Sequence, residues 1–144
     1  MGAADRVRAY YDALRAGEPL APFFAPGDDV VKVGISERLV GGEEVAAGLR
    51  EQTESTTGWH VESRDLRVTE RDRHAWFADS VAMAWTDTDR QIRYEFDTRW
   101  SGTLERRIGD EPAESSETAT SADGTADERW QFVGMHVSTA RDLG

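Results

Sequence analysis

The chain contains no cysteine and no asparagine, and it sets a single lysine, Lys32, beside 16 arginines. Without cysteine there is no disulfide, no thiolate zinc site and no cysteine nucleophile. Without asparagine there is no N-glycosylation sequon. No run approaches the roughly 18 apolar residues that a membrane-spanning helix needs. The opening Met1-Gly2-Ala3-Ala4-Asp5 reaches a charge before any apolar signal stretch can form. The expected compartment is therefore the cytoplasm.

What is present points to one folded domain, residues 1–144. A chain of this length buries about 68% of its unfolded surface and needs no staple. Five Trp, five Phe and three Tyr supply bulk for a core. Acidic residues outnumber basic ones 28 to 17, for a formal net charge of −11. That balance repels phosphate, so neither nucleic acid nor an anionic membrane is an expected partner. A GC-rich coding sequence would favour arginine over lysine. Adaptation to molar salt would also account for the acid excess, because self-repulsion is screened within about 3 Å at 1 M salt. The sequence reads best as salt-adapted.

Residues 109–128, GDEPAESSETATSADGTADE, carry seven acids and no basic or aromatic residue. That composition cannot offset ordering entropy, and it predicts a disordered acidic loop between two strands. A charged docking loop is the functional alternative.

Elsewhere the periodicity is informative. Val7, Tyr10, Tyr11 and Leu14 form one face of an amphipathic helix that Gly17 stops. Glu18 to Phe24 reads as a short second helix or turn. Val30 to Ile35 is β-rich, and the chain returns through Ser36–Val40. Glu43 and Glu44 open a further helix that runs toward Gly58. The period then becomes two. Trp59 and Val61 share one parity and Leu66 and Val68 the other, which predicts a bulge near Ser63–Asp65. Ala75 to Trp85 is a long strand. From Ile92 to Glu105, Ile92, Tyr94, Phe96, Thr98, Trp100, Gly102 and Leu104 alternate with charged or polar residues, the signature of a strand with one buried face. The last strand, Trp130 to Ser138, places Trp130, Phe132, Gly134, His136 and Ser138 on one face if its pleat is regular. Apolar residues on both faces mark it as a central strand, or one covered by a partner. Helices first and strands later predict an α+β fold: three N-terminal helical segments on one face of a curved antiparallel sheet. The regular β-α alternation and glycine fingerprint of a dinucleotide-binding fold are missing.

Three stretches carry a family resemblance: VRAYYDALRAGEPLAPFFAPGDDVVKVG, LVGGEEVAAGLREQ and the ending WQFVGMHVS. In them the chain resembles the NTF2-like superfamily, and within it the SnoaL-like domains. Trp130, His136 and Ser138 match the family's closing strand, while Gly134 stands where many relatives carry a second polar group. The resemblance implies a cone: a bent sheet around a pocket closed by the N-terminal helices, often paired as a homodimer through the outer sheet face. Members of the superfamily include ketosteroid isomerase, polyketide cyclases, dehydratases and non-catalytic association modules, so fold alone does not select a function.

Two residues are candidate catalytic groups. His136 would serve as acid, base or donor if its face is concave, or it pins the terminal strand. Asp79 is the one acid in a strand of small residues, and it is a candidate buried base, an outer-face residue or an arginine partner. Tyr11, Trp76, Tyr94, Trp100, Trp130 and Phe132 are candidate lining for a ligand pocket, each with plain core as the alternative. Asp97 and Arg99 read as ion-pair residues on the wet face. His60 and His74 read as solvated, and their spacing with His136 makes no metal set. No motif for a nucleotide or other cofactor is present, so none is expected.

Three functions compete. One is a protein that binds a small hydrophobic molecule in the cone. Another is an acid–base pocket enzyme of isomerase, cyclase or dehydratase type. The third is a dimeric association module with a filled interior.

Overall fold

The computed structural model describes residues 2–108 and 128–139. Most of the predicted acidic loop at 109–128 lies outside the described residues.

Helix α1 (Ala3–Ala16) forms where the i, i+3, i+4, i+7 pattern predicts it and buries Val7, Tyr10, Tyr11 and Leu14. Carboxylates hold its N-terminus: the Gly2 amide donates to Asp5 at 3.0 Å, and the Ala3 amide donates to Glu70, far along the chain, at 2.8 Å. Gly17 ends the helix in the left-handed region, at φ 71, where a β-carbon would be strained. Two arginines then tie α1 to the sheet. Arg6 donates to the Trp130 carbonyl at 2.9 Å, and Arg15 donates to the Val61 carbonyl at 2.7 Å.

The expected second helix is only one 3₁₀ turn, Ala21–Phe23, with Pro22 inside it. The fold thus has two α-helices among the described residues rather than three helical segments. Two prolines within four residues leave too few amide donors for a longer helix. A short hairpin follows, β1 (Val31–Val33) and β2 (Arg38–Val40), then α2 (Gly42–Ser55) with Glu43 and Glu44 in its first turn. The remaining strands are β3 (Thr56–Ser63), β4 (Arg67–Glu70), β5 (His74–Asp87), β6 (Ile92–Ile108) and β7 (Glu128–Thr139).

The strands make one sheet in the order β2-β1-β7-β6-β5-β3, with β4 also paired to β5. The sheet is mixed, not purely antiparallel, because β1 runs parallel to β7. Strand β7 is internal, between β1 and β6. The bulge expected near Ser63–Asp65 is a full break. Ser63 pairs with Val81 and Arg67 with Ala78, so β3 and β4 lie successively along β5.

A second irregularity decides the orientation of β7. Thr103 pairs with Gly134, but Leu104 pairs with Phe132, which leaves Val133 as an extra residue. A bulge reverses every side chain beyond it. Trp130 and Phe132 are buried before it, and Met135 and Val137 after it, while His136 is exposed. The single-parity face drawn from Trp130 to Ser138 therefore does not exist.

The inner face of the sheet, α1 and α2 enclose the core. Tyr10 is at its centre, edge-on to Phe132 at 5.3 Å, Phe23 at 5.4 Å and Trp100 at 6.0 Å between ring centroids.

Candidate functional site

Leu39 on one end strand and Trp59 on the other border the same cavity, so the sheet curls until its ends face one another. The space they enclose is about 450 Å³. Exposed Ile35, Ser36 and Glu51 mark its mouth, between the β1–β2 hairpin and α2. Buried Tyr10, Lys32 and Trp100 mark its floor. Its walls are chiefly apolar: Leu14, Leu39, Met83, Val137 and the rings of Trp59 and Trp85. Those two rings stack at 4.9 Å, and Trp85 continues the aromatic row to Tyr94 and Phe96, each at 5.6 Å.

Apart from Glu51 at the mouth, charge enters this space at one place. Lys32 stands in register with Met135 on one side and Leu39 on the other, which turns it to the inner face. Its side chain is 6% exposed and its ammonium pairs with the carboxylate of Glu37, whose side chain is 30% exposed. The hairpin makes the pair possible. Gly34 and Glu37 close it through a 3.0 Å backbone hydrogen bond, and a β-carbon on Gly34 would stand 2.8 Å from the Glu37 side chain. The missing side chain at Gly34 is the room through which Glu37 folds back onto Lys32. Tyr10 lines the same cavity and its hydroxyl has no hydrogen-bond partner among the described residues. Burial, and secondarily the Glu37 charge, push its pKa well above the ordinary tyrosine value, so the phenol keeps its proton. Trp100 instead spends its indole N–H on Thr98, at 3.0 Å.

The candidates from sequence distribute differently. Trp100 borders the cavity. Trp130 and Phe132 are buried core, and Tyr94 belongs to the aromatic row behind Trp85. Trp76 is 46% exposed on the outer face, beneath the Arg71 guanidinium at 5.3 Å. It faces out because Ala75, Phe77, Asp79, Val81 and Met83 occupy the inward parity of β5. The bulge at Val133 turns His136 to the outer face as well, where it borders a shallow hollow of about 350 Å³ with Arg99, Ser101 and Ser138.

Asp79 touches that hollow, but both its oxygens are engaged elsewhere. One accepts from the Tyr11 hydroxyl at 2.9 Å and the Ser63 hydroxyl at 2.6 Å; the other accepts from the Asp65 amide at 3.0 Å. It is 5% exposed and has no arginine partner among the described residues. The arrangement pins the β3–β4 break to α1, and Tyr11 is a donor in it rather than pocket lining. Burial, then the Asp79 charge and hydrogen bond, raise the Tyr11 pKa. His136 and Asp79 therefore do not converge with the cavity residues. Asp97 and Arg99 are exposed, and Asp97 pairs with Arg64 at 3.2 Å. His60 and His74 are also exposed.

Reading along the chain missed Lys32, Glu37, Tyr10, Trp59 and Trp85 as site residues. One available signal was Lys32 itself, a lone amine in the apolar run Val30–Val33 of a chain that otherwise uses arginine.

The sequence pattern of the SnoaL-like domain matches residues 4–142. Among solved structures, a nuclear transport factor 2 (NTF2-like) superfamily protein from Salmonella enterica serovar Typhimurium is 12% identical and superposes with a TM-score of 0.71, covering 97% of this chain and 89% of its own. A ketosteroid isomerase-like protein from Erwinia carotovora atroseptica is 16% identical with a TM-score of 0.65, covering 96% of this chain and 94% of its own. At such identities the likeness is one of fold. No curated protein sequence matches the chain. Among the described residues, no helix is long and apolar enough to cross a membrane.

Proposed function

The chain belongs to the SnoaL-like domain family of the NTF2-like superfamily, and from that premise we propose that its cone binds a small, mostly apolar, ring-bearing molecule carrying one neutral polar group. The observation that carries this reading is the Lys32–Glu37 pair, whose ammonium is buried at the floor of a tryptophan-walled cavity. About 450 Å³ falls within the usual range for small-ligand pockets. Apolar walls supply affinity, and the pair with the Tyr10 phenol supplies orientation. The paired charges cancel, and Glu51 at the mouth adds a negative one, so a neutral polar group fits better than a carboxylate.

The test is a titration with N-phenyl-1-naphthylamine, a neutral dye that brightens in apolar surroundings. A saturable rise at one dye per chain is expected, and Leu39→Glu, which sets a charge against the wall, abolishes it. A linear rise, or an unchanged rise in Leu39→Glu, overturns the reading.

An acid–base enzyme is the second reading. It is favoured by the unpartnered Tyr10 phenol and the Glu37 carboxylate lining one cavity, since a proton donor and acceptor facing one cavity is what proton transfer requires. It would run through Tyr10 and Glu37, not His136 and Asp79. Exposed Trp76 supports the expected homodimer through the outer sheet face. Light scattering of Trp76→Glu tests it, with a monomer as the expected outcome and an unchanged assembly as the contrary one.

A further inference from the structure

The chain has one ε-amine, and the fold places it inside the cone. Elsewhere its basic side chains are arginine, so the cavity is where the chain departs from its own habit. Arginine and lysine carry the same charge but not the same chemistry. A guanidinium stays protonated and does not condense with carbonyls, whereas an amine that sheds its proton is a nucleophile. The Glu37 carboxylate is in contact with the Lys32 ammonium and is placed to receive a proton from it. We propose that Lys32 is a Schiff-base lysine, condensing with the carbonyl group of an aromatic or alicyclic aldehyde or ketone held in the cone. The proposal rests on the ligand-binding reading above and names the ligand's polar group.

The step balances with groups on the cavity floor. Glu37 takes one proton from the ammonium, freeing the nitrogen lone pair. Attack joins Nζ to the carbonyl carbon and moves the C=O π pair onto oxygen. One further nitrogen proton crosses to that oxygen by way of the Tyr10 phenol, which donates one proton and regains another. Glu37 returns its proton to the resulting hydroxyl. The C–O bond breaks, water leaves, and the nitrogen lone pair closes the C=N bond. Ammonium and carbonyl have become protonated imine and water, with Glu37 and Tyr10 restored. Tyr10 suits this relay because its hydroxyl is uncommitted among the described residues, and its raised pKa keeps it protonated.

Reductive trapping tests this on the full chain. The protein is incubated with 2-naphthaldehyde and sodium cyanoborohydride, then digested with trypsin. An alkylated Lys32 blocks cleavage after residue 32 and leaves residues 16–38 as one peptide. The expected result is label at Lys32 exceeding label at the N-terminal amine, with trapping about 100-fold slower in Glu37→Gln, the scale of a lost general base. Tyr10→Phe is the second variant should Glu37→Gln misfold, and it too is expected to slow trapping. Label confined to the N-terminal amine, or Lys32 label indifferent to both variants, overturns the proposal. Binding of 2-naphthol, which has the ring but no carbonyl, separates the two readings. If naphthol binds and Lys32 is not trapped, the imine proposal alone falls. If naphthol does not bind, the ligand reading falls with it.

Discussion

Replacing Glu37 by leucine strips the partner from an ammonium whose side chain is 6% exposed. Replacing Lys32 by methionine strips the partner from a carboxylate that is 30% exposed and close to the cavity mouth. The two deletions should therefore be unequal. A buried charge left without its counter-charge costs about 3–5 kcal/mol, and Lys32 in Glu37→Leu is such a charge. Glu37 in Lys32→Met can turn toward water, so its loss of partner costs about 1 kcal/mol, a typical single-substitution value. The double variant, Lys32→Met with Glu37→Leu, removes the buried ammonium together with its half-buried partner and fills the space with apolar atoms. It should unfold within about 1 kcal/mol of the parent, because a buried pair repays little more than its own desolvation. Urea unfolding followed by tryptophan fluorescence at one fixed salt concentration measures all four proteins, and the slope m checks that the unfolded state is unchanged. The reasoning fails if Glu37→Leu costs no more than Lys32→Met, or if the double variant loses as much as the two singles together. The expected pattern would mean that the pair adds little to stability and that its place on the cavity floor needs another explanation, such as ligand orientation.

Three further outcomes follow from the same structure. Tyr11→Phe removes one of the donors to buried Asp79 and should cost about 1–3 kcal/mol by denaturant unfolding; Asp79→Ala orphans the Tyr11 and Ser63 hydroxyls and the Asp65 amide together and should cost more, and equal losses would contradict the network. Tyr10 and Tyr11 both have pKa values raised above the ordinary 10.0, so their stabilisation is complete below pH 10 and is lost as pH rises beyond it; stability should fall there by about 1.4 kcal/mol per pH unit for each phenol, and a slope unchanged in Tyr10→Phe would contradict that. Gly34→Ala should displace the Glu37 carboxylate from Lys32 and weaken dye or naphthol binding while leaving the far-ultraviolet dichroism intact, whereas unaltered binding would show that the hairpin does not aim Glu37.

Much of the framework was legible in the sequence because it rests on local periodicity. The apolar stripe of α1, its stop at Gly17 and the alternation of β6 from Tyr94 to Leu104 stand in the structure as read, while Ile92, read with the buried parity, is 43% exposed. The site was less legible because it depends on two features that periodicity does not carry. One is the bulge at Val133, an extra residue that no local pattern announces and that sends His136 out and Val137 in. The other is the pairing of strands distant in sequence. Parallel pairing of β1 with β7 brings Lys32 level with Met135 and so into the cone, and packing of α1 across the β3–β4 break gives Asp79 to Tyr11. Trp76 and Trp85 show the same limit within one strand. Both are large aromatics in β5, yet one is outward and one lines the cavity, and only the parity set by Phe77, Val81 and Met83 separates them.

The central claim, that the functional surface is the interior of the cone and not the outer face that carries His136, can be read from the five tryptophans. With 5-fluorotryptophan in place of each, fluorine NMR gives one resonance per ring during a titration with 2-naphthol. The account predicts that Trp59, Trp85 and Trp100 shift together and saturate, while Trp76 on the outer face and Trp130 in the core stay in place. Movement of Trp76 without the cavity tryptophans would contradict it.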